Sequence, residues 1–215
     1  MCGRYSVLTE DEIIEVRGII KSVALTLARD EFDHYEAERQ ETAPTDLAPI
    51  ITSNGRDLEF VHAQFGFEKW DGKGVIINAR SETIQEKPMF RNQKRCIVPA
   101  SEYYEWKLPG EGQKKKTKHQ IMDKQGNLLF MAGLWRDGKE RREFIIITKT
   151  PAGDVRDKDI HDRMPVMLRT GQIEPWLNGS LPIGALTALD YDCAAERCDE
   201  PDNKNSEGDQ LSMFC

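Results

Sequence analysis

The sequence lacks any apolar run of about 18 residues, the length that a membrane-spanning helix requires. It also lacks an apolar stretch after Met1 of the kind that opens a secretory signal peptide, and no segment is repeated along the chain. These absences argue against membrane, secreted and repeat proteins. We therefore expect a cytoplasmic protein that does not bind membranes.

Cysteine and histidine are scarce, with 5 and 4 residues respectively among 215. The cysteines are odd in number and irregularly spaced, which is typical of free thiols in a reducing compartment; they lie at positions 2, 96, 193, 198 and 215. None of them is combined with histidines at the spacing of a zinc site. We predict free thiols, no bound metal and no other cofactor.

Acidic residues outnumber basic ones, 37 to 30, and the net charge of −7 argues at first against nucleic-acid binding. Much of this excess lies at the end of the chain, where 196–215 carries six acidic and two basic residues. A strip between positions 87 and 95 contains four basic residues and no acid: Lys87, Arg91, Lys94 and Arg95. Such a strip is compatible with local phosphate binding, although charge alone fits a solvated surface equally well.

Short segments of β-type composition predominate, and they predict strands at 58–65, 75–77, 96–98, 103–106, 119–123, 128–134 and 144–148. Thr9 and Glu12 form a capping-box pattern before an apolar face, which predicts a helix over about 10–28. Shorter helices are predicted at 81–87 and about 170–177, and hairpin turns at 124–127 and 137–139. The pattern favours a single α+β domain over 1–195, a largely antiparallel, curved, barrel-like sheet with flanking helices, followed by an acidic tail at 196–215.

Cys2 is the cysteine with the most distinctive chemical setting. Enzymes that remove an initiator methionine act when the next side chain is small, so we expect a mature chain that begins with an exposed Cys2. Its amine, with a pKa of about 8, and its thiol, with a pKa of about 8.5, would then be adjacent nucleophiles. Together they can capture an aldehyde as an imine and close it to a five-membered thiazolidine.

Four separated segments place Cys2 in a wider pattern. They are CGRY at 2–5, INARSET at 77–83, YYEW at 103–106 and IHDRMPV at 160–166. In this order they closely resemble the SRAP family, the SOS-response-associated peptidases that crosslink to abasic sites, from Cys2 to about residue 190. The resemblance implies that Cys2 bonds covalently to the ring-opened abasic sugar in single-stranded DNA, as part of a DNA damage response.

The resemblance also implies roles for other residues. Asn78 would hold the amine or the sugar, Glu105 would move protons during imine formation, and His161 would act as acid or base at a sugar hydroxyl. Arg4, Arg80 and Arg163 would grip phosphates beside the lesion. From the residues themselves, the aromatic rings predicted to contact DNA by stacking on a base or wedging the strand are Trp70, Phe90 and Trp106, although Trp106 fits core packing almost equally well, and Arg91 is a predicted DNA contact beside Phe90 in the basic strip. Lys69 and Glu41 depart from the usual family pattern, which leaves the strand contacts at those positions open.

Other interpretations remain open for the same residues. An amidotransferase with an N-terminal nucleophile also begins Cys-Gly, but it would need an oxyanion hole and a layered fold. A cysteine peptidase could use Cys2, His161 and Asn78, in its mildest form to remove its own first residue, and strand cleavage by a lyase step could follow crosslinking. In a module that only binds single strands, Cys2 would be inert.

The end of the acidic tail carries a second motif, made of Gln210, Leu211, Met213 and Phe214. It resembles the Gln-Leu-polar-Leu-Phe peptide with which bacterial repair proteins bind the DNA sliding clamp. The three apolar side chains would fill a pocket on the clamp with modest affinity, since a flexible segment must be ordered. Alternatively, they fold back onto the body. We expect a monomer whose partners are abasic single-stranded DNA and, through this peptide, the clamp.

Overall fold

The computed structural model describes residues 2–6, 8–23, 41–110 and 115–198. Its strands are β1 (Arg4–Ser6), β2 (Glu41–Thr42), β3 (Leu47–Ser53), β4 (Leu58–Phe65), β5 (Phe67–Glu68), β6 (Val75–Ile76), β7 (Asn78–Arg80), β8 (Lys94–Ala100), β9 (Tyr103–Lys107), β10 (Thr117–Asp123), β11 (Leu129–Asp137), β12 (Arg142–Lys149), β13 (Met164–Pro165) and β14 (Cys193–Arg197). The α-helices are α1 (Glu10–Val23), α2 (Pro88–Arg91), α3 (Gly153–Asp157) and α4 (Ile173–Leu177), and 3₁₀ turns occur at Thr170–Gln172 and Ile183–Ala188.

Five strands close into a barrel. They pair in the order β11-β8-β3-β4-β12, and β12 pairs again with β11, so this ring has no free edge. Most pairs are antiparallel, but β12 runs parallel to β4 and to β7, which lies outside the ring. Inside the core, the ring of Phe65 stacks on that of Phe144 with centroids 5.2 Å apart. Each such fully buried side chain contributes about 1.5–3 kcal/mol.

A second, five-stranded antiparallel sheet packs one face against this barrel. Its order is β14-β10-β9-β1-β2, so that β1 lies between β2 and β9. Tyr5 of β1 directs its ring edge at Phe65, with centroids 5.8 Å apart. Cys2, Tyr103 and Cys193 belong to the same buried cluster as these rings. The inner face of this sheet therefore completes the core above the barrel.

The predicted α+β single domain with a barrel-like sheet is confirmed. The capping box forms, because the Thr9 amide donates to the Glu12 carboxylate at 2.7 Å and the Glu12 amide donates to the Thr9 hydroxyl at 3.4 Å. The turn at 137–139 joins the paired strands β11 and β12, as predicted, whereas part of the predicted first helix, 24–28, lies outside the described residues. No helix in the described ranges is long and apolar enough to cross a membrane.

Three local predictions were wrong. The turn at 124–127 does not close a hairpin, because β10 and β11 belong to different sheets. The segment 81–87 forms turns rather than a helix, and the helix α2 begins only at Pro88, where the fixed φ of proline suits a first helical position. Strand β14 continues to Arg197 by pairing with β10, two residues beyond the expected end of the domain at 195.

Candidate active site

Cys2 lies just before β1 and is fully buried in the core. The prediction that Cys2 is exposed was therefore wrong. Asn78 fixes its backbone: the side-chain amide donates to the Cys2 carbonyl at 3.1 Å and, more weakly, to the Ile146 carbonyl at 3.5 Å. The parallel pairing of β7 with β12 places Asn78 beside Ile146 and so directs it at Cys2. The buried Asn78 Oδ1 atom accepts no hydrogen bond from the described residues, which leaves an acceptor beside the Cys2 backbone.

Glu105 supplies a carboxyl group to the same region. It lies on β9, and its side chain is only 2% exposed. Burial raises the pKa of this carboxyl to about 7, because removal from water penalises the charged form. Near neutral pH a group with this pKa can both donate and accept a proton. Glu105 is therefore suited to a reaction in which protons must move in both directions.

The thiol of Cys2 is uncharged at neutral pH. Burial, followed by the negative charge of nearby Glu105, raises its pKa well above the usual range. Burial likewise raises the pKa of the Tyr103 hydroxyl, with further contributions from Cys193, Cys2 and Glu105. Tyr103 lies two residues before Glu105 on the same face of β9, a relation that could have identified it from the sequence. The centre is thus a dry region in which charges are unfavourable.

His161 faces Glu105, with Nε2 3.8 Å from a carboxylate oxygen. Burial lowers the pKa of the imidazole, so the ring is neutral at pH 7. Its Nδ1 atom accepts a hydrogen bond from the Arg163 amide at 3.0 Å and also lies 2.8 Å from the Asp162 carboxylate. Because the Arg163 amide donates to Nδ1, we assign the proton of the neutral ring to Nε2, on the side of Glu105.

Arg163 was predicted to grip a phosphate, but its guanidinium is engaged by groups within the protein. Its guanidinium binds both carboxylate oxygens of Glu82 at 2.8 Å and donates to the Thr148 carbonyl at 2.6 Å. This partner lowers the pKa of Glu82 to about 2. The side chain is buried, and it ties the His161 loop to β12 and to the turn after β7. The Arg163 backbone amide, in turn, donates to the His161 ring.

Phe90 was predicted to contact DNA but is buried instead. It is 4% exposed on α2 and packs against Phe67, with ring centroids 6.5 Å apart, so it cannot stack on a base. The surrounding basic strip is partly occupied: Lys94 pairs with Asp137 at 2.9 Å, and Arg95 lies over the Trp176 ring and donates to backbone carbonyls. Fewer cations of the strip are therefore available to a ligand than its composition indicates.

The remaining predicted DNA contacts lie at the surface. Trp70 is 97% exposed on the loop between β5 and β6. Arg80 on β7 and Arg91 on α2 are exposed, and Arg91 donates to the Gln85 carbonyl at 3.2 Å. Arg4 and the half-buried Trp106 come together, with the guanidinium 5.6 Å from the ring centroid. These residues are available to a ligand, in contrast to Phe90 and Arg163.

Two further sequence predictions concern metals and the tail. Within the described ranges, no group of three or more histidine, cysteine or acidic side chains is arranged to hold a metal ion. The candidate clamp-binding peptide, with Gln210, Leu211, Met213 and Phe214, lies outside the described residues.

Comparison with known proteins gives consistent matches over most of the chain. The family model described as SOS response associated peptidase (SRAP) matches residues 1–192. Abasic site processing protein YoaM of Bacillus subtilis (strain 168) is 42% identical over 195 residues, covering 83% of this chain and 79% of its own. Abasic site processing protein YoqW of the same strain is 34% identical over 192 residues, covering 83% and 80%. A crystal structure of a protein from Bacteroides thetaiotaomicron superposes with a TM-score of 0.71 at 26% identity, covering 92% of each chain.

Proposed function

The chain belongs to the SRAP family of SOS response associated peptidases, and from this premise we propose that it processes abasic sites in DNA by bonding to them through Cys2. The observation that carries the proposal is the meeting of Asn78, Glu105 and His161 around Cys2, from segments far apart in sequence. The curated relatives named above as abasic site processing proteins support the same substrate.

The proposed reaction begins with the α-amine of Cys2, after removal of Met1. The amine nitrogen attacks the C1′ aldehyde of the ring-opened abasic sugar to give a carbinolamine. Glu105 takes a proton from the nitrogen and returns one to the departing hydroxyl, so that one water leaves and an imine remains. The free Asn78 Oδ1 would accept a hydrogen bond from the amine and orient it. His161, with its proton on Nε2, would donate to the sugar oxygen.

Ring closure then uses the thiol. The sulfur attacks the imine carbon, one C–S bond forms, and the thiol proton ends on the nitrogen, so no oxidant or reductant is needed. Because burial raises the pKa of this thiol, a base must take its proton as the bond forms. Glu105, with a pKa of about 7, is the adjacent group able to do so. The product is a thiazolidine, and the whole sequence releases one water.

Burial of Cys2 also bears on substrate choice. A sugar within a stacked duplex could not reach a fully buried residue, whereas an unpaired abasic nucleotide can be extruded at lower cost. Exclusion of water from the closed site would slow hydrolysis of the imine and lengthen the life of the crosslink. A thiolate peptidase, by contrast, needs a lowered thiol pKa, and the environment of Cys2 shifts it in the opposite direction.

The test compares wild type, Cys2→Ser and Cys198→Ser on a single-stranded oligonucleotide with one abasic site. Serine keeps the amine, but its hydroxyl closes the ring far less stably than sulfur does. We expect wild type and the control Cys198→Ser to form an adduct that survives heat and alkali, with a mass one water below the sum of its parts. Equal, stable yields from wild type and Cys2→Ser would refute the thiazolidine.

The tail peptide adds a proposal about recruitment. Gln210, Leu211, Met213 and Phe214 would bind the sliding clamp and bring the protein to replication forks, where abasic single strands are exposed. Purified clamp from the same organism should retain wild type in a pull-down and lose Leu211→Ala/Phe214→Ala. Absence of wild-type binding, or undiminished binding by the double variant, would remove the idea.

A further inference from the structure

A second polar cluster lies on the outer face of the five-stranded sheet. Strand register sets Arg4 opposite Tyr104 and Lys118 opposite Trp106. Tyr104 and Trp106 are two residues apart on β9, so all four side chains project from the same face. Glu105 lies between them in sequence and projects from the opposite face, toward His161. The cluster is therefore separated from the reaction centre by the thickness of one strand.

Within this cluster, Trp106 is flanked by two cations. The Arg4 guanidinium lies 5.6 Å and the Lys118 ammonium 5.8 Å from the ring centroid, and Lys118 also lies 4.1 Å from that of Tyr104. Glu41, on the neighbouring strand β2, pairs with both: one carboxylate oxygen is 3.4 Å from Arg4 and the other contacts Lys118. A single carboxylate thus spans two cations beside an aromatic ring.

We propose that Lys118 joins the predicted DNA contacts Arg4 and Trp106 in one nucleotide subsite, and that Glu41 occupies the phosphate position of this subsite in the free protein. Carboxylate and phosphate oxygens are recognised by the same cationic donors, so a carboxylate held between two cations marks a place where a phosphate fits. The indole ring supplies a plane on which the attached base stacks. The inference rests on the proposed function, which makes a DNA strand the ligand.

The position of the subsite fits a nucleotide next to the lesion. Arg4 is two residues from Cys2, which is at most about 7 Å of extended chain. The exposures differ: the Arg4 side chain is 51% exposed and that of Glu41 33%, so the pair can open toward solvent, whereas the Lys118 side chain is only 16% exposed. Glu41 is the member that must move, and its charge opposes binding until it does.

The test measures reversible binding of an intact single-stranded oligonucleotide, which contains no aldehyde, by Glu41→Gln and by Glu140→Gln. Both variants remove one negative charge; Glu140, whose side chain is 85% exposed, lies outside the cluster. We expect Glu41→Gln to bind roughly threefold to tenfold more tightly than wild type. Its slope of log affinity against log salt should steepen by about 0.7, the value for one more phosphate contact on a single strand. Glu140→Gln should change affinity by less than about twofold with the slope unchanged.

A second comparison repeats Glu41→Gln in a Lys118→Ala background. Because only one of the two cations, Arg4, is then released, the gain in affinity should be smaller than in the wild-type background, which a double-mutant cycle measures. Equal effects of Glu41→Gln and Glu140→Gln, or an undiminished gain in Lys118→Ala, would overturn the subsite. If wild type still forms the abasic adduct in either case, the proposed function stands. Absence of both adduct and strand binding would overturn the two together.

Discussion

The two faces of strand β9 provide different environments for charged side chains. On the inner face Glu105 is surrounded by the core, and burial raises its pKa to about 7 and that of the Cys2 thiol well above the usual range. On the outer face Arg4 and Lys118 meet the opposite charge of Glu41 and retain contact with water. Adjacent residues, Glu105 and Trp106, thus belong to different environments because strand side chains alternate.

This contrast separates reaction from recognition. The inner groups are sensitive to protonation and packing, since a dry environment magnifies both. The outer groups are sensitive to salt and to competing anions, since water screens them. Substitutions inside should therefore alter folding and reaction rate, and substitutions outside should alter affinity.

The largest contrast concerns two aromatic residues predicted alike from sequence. Phe90→Ala should lower the free energy of unfolding by roughly 3–5 kcal/mol, because it leaves a cavity beside Phe67. Trp70→Ala should change it by no more than about 0.5 kcal/mol, because the ring is 97% exposed, while weakening single-strand binding. Urea denaturation measures the first effect and fluorescence anisotropy the second. Comparable destabilisation by Phe90→Ala and Trp70→Ala would contradict the burial of Phe90 and the exposure of Trp70.

The next effect concerns reaction rate. Glu105→Gln and His161→Ala should each slow adduct formation roughly 100-fold, the scale of losing a positioned acid or base. Glu41→Gln, on the outer face, should leave the rate unchanged at saturating DNA. Single-turnover formation of the adduct is the measurement. A Glu105→Gln rate equal to that of wild type would place proton transfer elsewhere.

Stability should also depend on pH through Glu105. Its pKa is about 7 in the folded protein against an ordinary 4.5, so the folded state binds the proton more tightly. Stability from this group is therefore present at low pH and is lost as pH rises from 4.5 through 7. Glutamine cannot lose a proton. The free energy of unfolding of Glu105→Gln relative to that of wild type should therefore rise by about 1–3 kcal/mol between pH 4.5 and pH 7. Glu140→Gln is the control, and a gain independent of pH would contradict the shift.

The smallest contrast is between two arginines. Arg80→Ala should weaken single-strand binding a fewfold and flatten the salt slope by about 0.7, because one phosphate contact is lost. Arg163→Ala should instead destabilise the fold, because it removes the cation that pairs with Glu82 and one of the two donors to the Thr148 carbonyl. Arg56→Ala, in the exposed turn before β4, is the control for loss of charge. A wild-type salt slope in Arg80→Ala would show that Arg80 does not contact phosphate.

The fold was predictable where the signal is local. The alternating pattern at 58–65 predicts β4 with its observed bounds. Strand β3 was missed because Pro49 interrupts its run, and β1, β7 and β13 are too short to carry a pattern. The residues at 124–127 predict a turn, which forms, but the partners of β10 and β11 are set by contacts distant in sequence. The prediction of a hairpin there failed for that reason.

The residues of the candidate site could be predicted from the sequence, but which of them are buried could not. The four motifs brought together Cys2, Asn78, Glu105 and His161, which the structure places side by side. The same motifs cannot distinguish an arginine that faces solvent from Arg163, whose partner Glu82 comes from another segment. Glu41 was noted only as a departure from the family pattern and Lys118 was not singled out, because each looks like an ordinary surface charge until the strands align them beside Trp106.

Strand β1 lies between two strands that are synthesised later than itself, so its sheet is completed late in biosynthesis. A ribosome makes β1 early, but its neighbour β9 appears roughly 100 residues later, about 5–20 s at typical elongation rates. Until Tyr103 emerges and pairs with Tyr5, the first residues have no partner on that side, and enzymes that trim nascent chains can reach them. Completion of the sheet then encloses Cys2. The proposed removal of Met1 is therefore expected to occur on the growing chain, before β9 pairs with β1.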